Sequence, residues 1–191
     1  MHSLLLHLLL CLHLLCANIT KRRKHDIYIA CIVPKLMYGL ETLWLRKAEN
    51  RRLDSFQIRC LRRVYGIPHS YISRVTNEEV MHTSNHPPSL SNLLLRRQLA
   101  LYGRIARMPD RCVQRQLVFE QATLKLKQWA GRKERGRPRM NWTTEVHRHA
   151  VRAAGSMEEL AHAVCSTSRW MDVITTYCKT VVPAEEEPDS E

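Results

Sequence analysis

A chain of 191 residues with a net charge of +12 and a pI near 9.7 suits one domain, or one domain with tails. Hydrophobic content of 45% is enough for a core, while six glycines and long periodic stretches rich in Leu and Arg argue for a mainly α-helical protein over a β-rich one. Seven cysteines at 11, 16, 31, 60, 112, 165 and 178, an odd number without a CxxC pair, exclude a disulfide framework and point to a reduced, intracellular protein. The charge excess is largely arginine, which favours bidentate contact with phosphate. Charge alone does not choose among nucleic acid, an anionic membrane and acidic protein.

Residues 1–20, MHSLLLHLLLCLHLLCANIT, carry an apolar run from Leu4 to Leu15. Its length fits a signal-peptide core better than a membrane span. However, Lys21-Arg22-Arg23-Lys24 follows the run and no basic residue precedes it, the wrong polarity for an ordinary signal peptide. The reading adopted is an incidental Leu-rich leader where a gene fragment begins. The alternative is a signal or anchor that makes a small secreted or membrane-associated protein.

From His25 to Leu40 the apolar residues Ile27, Tyr28, Ala30, Cys31, Ile32 and Val33 predict a helix that Pro34 kinks or ends. Lys35 to Leu43 resumes as a short buried helix or turn, with Trp44 packed beside it. Lys47 to Tyr65 is one amphipathic helix. Leu53, Phe56, Cys60, Leu61 and Val64 share a face, and Arg51, Arg52, Arg59, Arg62 and Arg63 occupy the other. Gly66 takes the position after the helix end, and Pro68 is a stop.

Residues 68–75 have turn character. Thr76-Asn77-Glu78-Glu79 is a capping box that starts a helix from Asn77 to about Thr83. His82 and His86 have metal-like spacing, but the Pro87-Pro88 pair speaks against a zinc site. A second long helix, capped by Ser89 or Ser91, runs to near Met108-Pro109. Leu90, Leu94, Leu101, Ile105 and Met108 form its buried stripe, and Arg96, Arg97, Arg104 and Arg107 its rim. Packed by their apolar faces, the two long helices would form the core and display two basic ridges. Arg111 to Gln121 predicts a third helix with Val113, Leu117 and Val118 inward, and residues 123–129 a short strand or extended segment.

Residues 131–139, GRKERGRPR, hold five basic residues and one acidic, with Gly131, Gly136 and Pro138 against a helix. The expected form is an extended basic arm. Its Arg135-Gly136-Arg137-Pro138 resembles an AT-hook core, whose arginines enter a narrow minor groove. The plain alternative is a solvated linker. Asn141 caps a helix through Ala154, with Trp142, Val146, Ala150 and Ala153 inward and Gly155 closing it. Ser156 and Glu159 form a second capping box, followed by a helix carrying Met157, Leu160, Ala161 and Val164. A last helix from Ser168 to Tyr177 carries Trp170, Val173 and Ile174. His147, His149 and Cys165 match no standard metal-binding spacing. The tail PAEEEPDSE is acidic.

Taken as an ordered series, several blocks between about residues 25 and 177 resemble the region downstream of the polymerase core in non-LTR (LINE-type) retrotransposon reverse transcriptases. Tyr38, Gly39, Glu41 and Thr42 match the first block, with Trp44 two residues later than the family's Trp. Leu53, Asp54, Phe56, Arg59–Arg63, Gly66 and Ile67 match the second. Arg74 to Val80 (RVTNEEV) match a third; Gly103, Arg107, Met108, Pro109 and Asp110 a fourth, with Arg104 where many members have His; and Gly136 to Arg139 with Trp142 a fifth. The resemblance implies a thumb-like helical part and the segment after it. The five aspartates, at 26, 54, 110, 172 and 189, include no adjacent pair for two-metal nucleotidyl transfer.

The expectation is therefore a mainly α protein: a small thumb-like helical bundle with a basic extended loop and a C-terminal helical subdomain. Its parts are a leader (1–20), a helical domain (21–122), a basic linker (123–140), a helical segment (141–178) and an acidic tail (179–191). Its expected function is a non-catalytic nucleic-acid-binding remnant of a reverse transcriptase, not an enzyme. It would take no cofactor, metal or small-molecule substrate, and would sit in the nucleus or cytoplasm. RNA or DNA would be held through phosphate by Arg59, Arg62, Arg63, Arg96, Arg97, Arg104 and Arg107, with Arg135, Arg137 and Arg139 on the arm.

Overall fold

The structure, a computed structural model, describes residues 19–128 and 141–180. The leader up to residue 18, the GRKERGRPR arm and the acidic tail from 181 lie outside the described residues. The described chain is mainly helical, as expected. Its helices are α1 (Lys21–Ile27), α2 (Val33–Met37), α3 (Lys47–Tyr65), α4 (Ser70–Ser73), α5 (Asn77–Thr83), α6 (Leu90–Ala106), α7 (Val113–Val118), α8 (Trp142–Ala154), α9 (Met157–Cys165) and α10 (Thr167–Thr180). By its contacts the chain divides into two compact units. Within the described residues, 19–38 and 46–91 form the first, and 39–45, 92–128 and 141–180 the second. The division falls within α6, after Ser91.

In the first unit, Thr20 caps α1 by accepting from the Arg23 N–H at 3.4 Å. Between α1 and α2 the chain widens into a π-helical turn, Tyr28–Ile32, where the Val33 N–H donates to the Tyr28 carbonyl. Pro34 supplies the reason. It has no N–H for the Ala30 carbonyl, and a wider turn admits its ring without breaking the rod. The extra residue shifts the helical phase, so Tyr28, Ile32, Val33 and Met37 are buried while Ala30 and Cys31 face out. α3 starts with Glu49 accepting from the Arg46 N–H at 2.7 Å. It ends with Gly66 at φ 71 and the Ile67 N–H donating to the Arg62 carbonyl at 2.8 Å, a six-to-one bond that needs a left-handed residue at position 66. Leu53, Cys60, Leu61 and Val64 are buried as the periodicity predicts, and Phe56 is half-buried. Burial pushes the Cys60 thiol up to about 12, despite the opposing pull of Arg59 and Arg63. The capping box at Thr76 is present in full. Glu79 N–H donates to Thr76 Oγ1 at 3.2 Å, and Thr76 N–H to Glu79 Oε2 at 2.6 Å.

The N-terminus of α6 draws partners from a distant helix. The Leu90 N–H donates to Gln57 Oε1 at 2.9 Å, and the Ser91 N–H and hydroxyl donate to the Asp54 carboxylate at 2.9 and 2.7 Å. Two residues of α3 thus satisfy two of the free amides of a helix that begins more than thirty residues later. The Ser89 and Ser91 hydroxyls, next to this end, lie in hydrogen-bond contact at 3.1 Å.

The second unit is built on α6. Its buried positions include Leu95, Gln98, Leu99, Tyr102 and Ala106; Leu101, Ile105 and Met108, expected in the stripe, are half-buried at its edge. The core cluster joins these with Val118 and Phe119, with Val146 and Ala150 of α8, with Leu160, Ala163 and Val164 of α9, and with Trp170, Ile174 and Cys178 of α10. Trp170 donates its indole N–H to the Leu99 carbonyl at 2.9 Å. Its ring lies where a side chain at Gly103 would go, which gives that glycine a packing reason. Asn141 caps α8, accepting from the Thr143 N–H at 3.3 Å, and Ser156 caps α9, accepting from the Glu159 N–H at 3.1 Å. In α9, Ala163 is buried and not the expected Met157 or Ala161. α7 is shorter than the expected 111–121, and Val113 and Leu117 face solvent. Val118 is buried as expected, and so is Arg115, which bonds Asp110 at 2.7 Å, the Thr123 carbonyl at 3.1 Å and the Ala106 carbonyl. Residues 123–128 follow a turn at 121–122, and Leu126 makes an antiparallel bridge with Phe119. Trp44 packs in this unit, its ring 5.2 Å from that of His149.

Adding a methyl group at Gly103 forces the Trp170 indole out of place. Gly103→Ala is expected to lower stability by about 1–3 kcal/mol, the usual cost of overpacking, seen as a lower thermal midpoint by circular dichroism. His147 of α8 carries a second expectation. Its Nδ1 lies 2.8 Å from the Tyr102 hydroxyl, and burial lowers its pKa. The unfolded chain then binds the proton more readily, so stability is full above the unfolded value of about 6.5 and falls as pH drops through it. Denaturant melts at a series of pH values check this, and His147→Asn is expected to flatten that part of the profile.

Candidate nucleic-acid interface

The expected ridge of α3 is real for four of its five arginines: Arg51, Arg52, Arg59 and Arg63 are exposed. Arg62 corrects the fifth. It is 6% exposed, and its guanidinium donates to the Pro68 carbonyl at 3.0 Å, the Val75 carbonyl at 2.6 Å and Asn77 Oδ1 at 3.4 Å. Gly66 and Pro68 turn the chain back across the face of α3 that lies away from its apolar stripe, and residues 68–77 cover Arg62. Helical periodicity sees only one element at a time, so it assigned this position to solvent. The signal that bears on it is the tight Gly-Ile-Pro return so soon after an arginine.

This return creates a cleft. Arg52, Ser55, Arg59 and Arg62 follow at three- and four-residue steps and line one wall together with Ile58; His69, Ser70 and Asn77 line the other. The cleft is open to solvent and about 370 Å³ in volume. Among the described residues no carboxylate lines it. Arg62 is satisfied by carbonyl and amide oxygens, which solvate its charge without cancelling it. The guanidinium groups of Arg52 and Arg59 form no ion pair among the described residues. A low-dielectric wall bearing one buried and two free guanidinium groups attracts anions.

Of the α6 arginines, Arg104 and Arg96 are exposed, and Arg96 reaches Thr175 Oγ1 at 3.5 Å. Arg97 is half-buried. Arg107 donates to the Val164 carbonyl at 3.1 Å and so ties α6 to the end of α9. Arg135, Arg137 and Arg139 lie outside the described residues. Two of the five aspartates have structural work: Asp54 caps α6, and Asp110 pairs with Arg115.

Among the described residues no three His, Cys, Asp or Glu side chains stand close enough to hold a metal ion. The His82 and His86 rings meet edge to face at 5.3 Å. His147 and His149 each bond a tyrosine hydroxyl, of Tyr102 and Tyr177, at 2.8 and 2.9 Å, and Cys165 donates to the Ala161 carbonyl. The five described cysteines are free thiols. No described helix is long and apolar enough to cross a membrane. Compared with known protein families, with curated proteins and with solved structures, the chain gives no significant match.

Arg62→Ala takes the donor from the Val75 carbonyl and Asn77 Oδ1 and leaves the Pro68 carbonyl with the Ser73 hydroxyl alone, and is expected to cost about 1–3 kcal/mol. Arg63→Ala, on the exposed edge of the same turn, is expected to stay within about 0.5 kcal/mol of the parent. Urea unfolding of the two variants side by side separates the roles.

Proposed function

We propose that the chain is a non-catalytic nucleic-acid-binding remnant of a non-LTR reverse transcriptase, gripping RNA or DNA through phosphate. The observation that carries the reading is the cationic face of α3: Arg51, Arg52, Arg59 and Arg63 are exposed, beside a cleft that no carboxylate lines among the described residues. The ordered sequence blocks and the net charge of +12 support it. Phosphate contacts of this kind give affinity with little sequence information. Arg96 and Arg104 on α6 add exposed positive charge to the second unit, and the arginines of the GRPR arm add more in the sequence.

The test is the salt dependence of binding to a duplex of arbitrary sequence. Each neutralised phosphate releases counterion and contributes about −0.9 to the log–log slope on B-DNA. Replacing Arg52, Arg59 and Arg63 together by Gln is expected to flatten that slope by about 2 to 3 units. Arg62 stays in place because the fold of residues 68–77 depends on it. A triple variant that keeps its helicity and the parent slope would show that this face only meets water.

A further inference from the structure

The segment that closes the cleft also carries an exposed aromatic pair. The rings of His69 and Tyr71 are stacked, nearly parallel at 14° with centroids 5.7 Å apart. Tyr71 is 81% exposed and its neighbour Ile72 62%. His69 lines the cleft, so a flat ring system begins where the guanidinium groups of Arg52 and Arg59 end. All of these residues belong to one compact unit. A tyrosine held this far into water by a stacked partner has an open face, and nothing in the helical packing accounts for it.

We infer that this corner of the molecule is a seat for an unpaired nucleotide: phosphate in the Arg52–Arg59 cleft and base on the Tyr71–His69 platform. Two chemistries side by side lead to this occupant. Guanidinium groups alone suit any polyanion, and an aromatic pair alone suits any flat or apolar group. Cations that grip the backbone next to an aromatic ring that takes the base are the combination that single strands require. A duplex offers phosphates to the cleft, but its base faces are already stacked on one another and cannot reach Tyr71 except at an end. An acidic peptide offers carboxylates but no ring to cover the platform. The inference rests on the nucleic-acid reading above and narrows it, since it assigns this site to single-stranded RNA or DNA or to the unpaired end of a duplex.

The experiment measures binding of the full chain to a short single-stranded oligonucleotide and to a blunt duplex of equal length at one salt concentration. The variants are Tyr71→Ala and Tyr71→Phe. Tyr71 is exposed, so both are expected to keep the parent circular dichroism. Tyr71→Ala is expected to weaken single-strand binding by about 5- to 150-fold, the effect of losing one stacked base, and to leave duplex binding unchanged. Tyr71→Phe, which keeps the ring face, is expected to bind like the parent. A 2-aminopurine in the strand is expected to lose fluorescence on the parent and on Tyr71→Phe, and to keep it on Tyr71→Ala. Unchanged single-strand affinity in Tyr71→Ala, or an equal loss on both ligands, would overturn the inference while leaving general phosphate binding intact. Displacement of the strand from the parent and from Tyr71→Ala alike by polyglutamate of equal charge would mark the corner as a surface for acidic protein. A parent that binds neither strand nor duplex would remove the nucleic-acid reading, and this inference with it.

Discussion

One buried guanidinium sets the shape of the first unit's arginine-lined edge. Arg62 sits on the face of α3 that would otherwise meet water, and it stays there because the returning chain offers it three oxygens. Burying a charge without hydrogen bonds is prohibitive, so this position and residues 68–77 stabilise each other or neither is stable. The Pro68 and Val75 carbonyls are drawn to one point, and the loop between them is pulled into a narrow arch. The single turn of α4 and its aromatic pair ride on that arch. Because the acceptors are neutral, the arch closes around a full positive charge, and the surface above it inherits the field.

The arginines of this chain therefore do two different jobs, and composition does not separate them. Arg62, Arg107 and Arg115 use backbone carbonyls as partners and join segments that no helix ladder joins. Guanidinium suits this work because its planar fork reaches several acceptors at once, which an ammonium group does in no fixed geometry. Arg52, Arg59, Arg63 and Arg104 remain on the outside with their charge available. A high arginine count in such a helical protein reflects assembly as much as ligand affinity.

Much of the helical skeleton was legible in the residues. The apolar stripe of α3, the Thr76–Glu79 box of α5 and the Asn141 cap of α8 are local signals, and local physics decides them. What was not legible came from partners distant in sequence. Asp54 reads as one acid among basic residues, yet it caps a helix that starts at Leu90. The stripe of α6 is set by what packs on it, so Tyr102 and Leu99 went inside in place of Leu101. Pro34 read as a kink or stop, whereas a π-turn absorbs it and re-phases the residues around it. The cleft itself was half legible: its arginine wall follows helical spacing, but its other wall exists only because the chain doubles back.

The short segment Gly39–Leu45 has a consequence for how this chain tolerates rearrangement. It precedes α3 in the sequence but belongs to the second unit, where the Leu43 carbonyl accepts from Gln98 Nε2 at 2.6 Å and the Glu41 carbonyl from the Trp142 indole at 2.8 Å. The units are interleaved along the gene and not placed end to end. A reading frame shortened from its start to beyond codon 45 would take two hydrogen-bond acceptors from a core that lies almost wholly downstream. Recombination that preserves the second core has to carry Gly39–Leu45 with it, and so takes the first unit's α3 and α5 along in the same block.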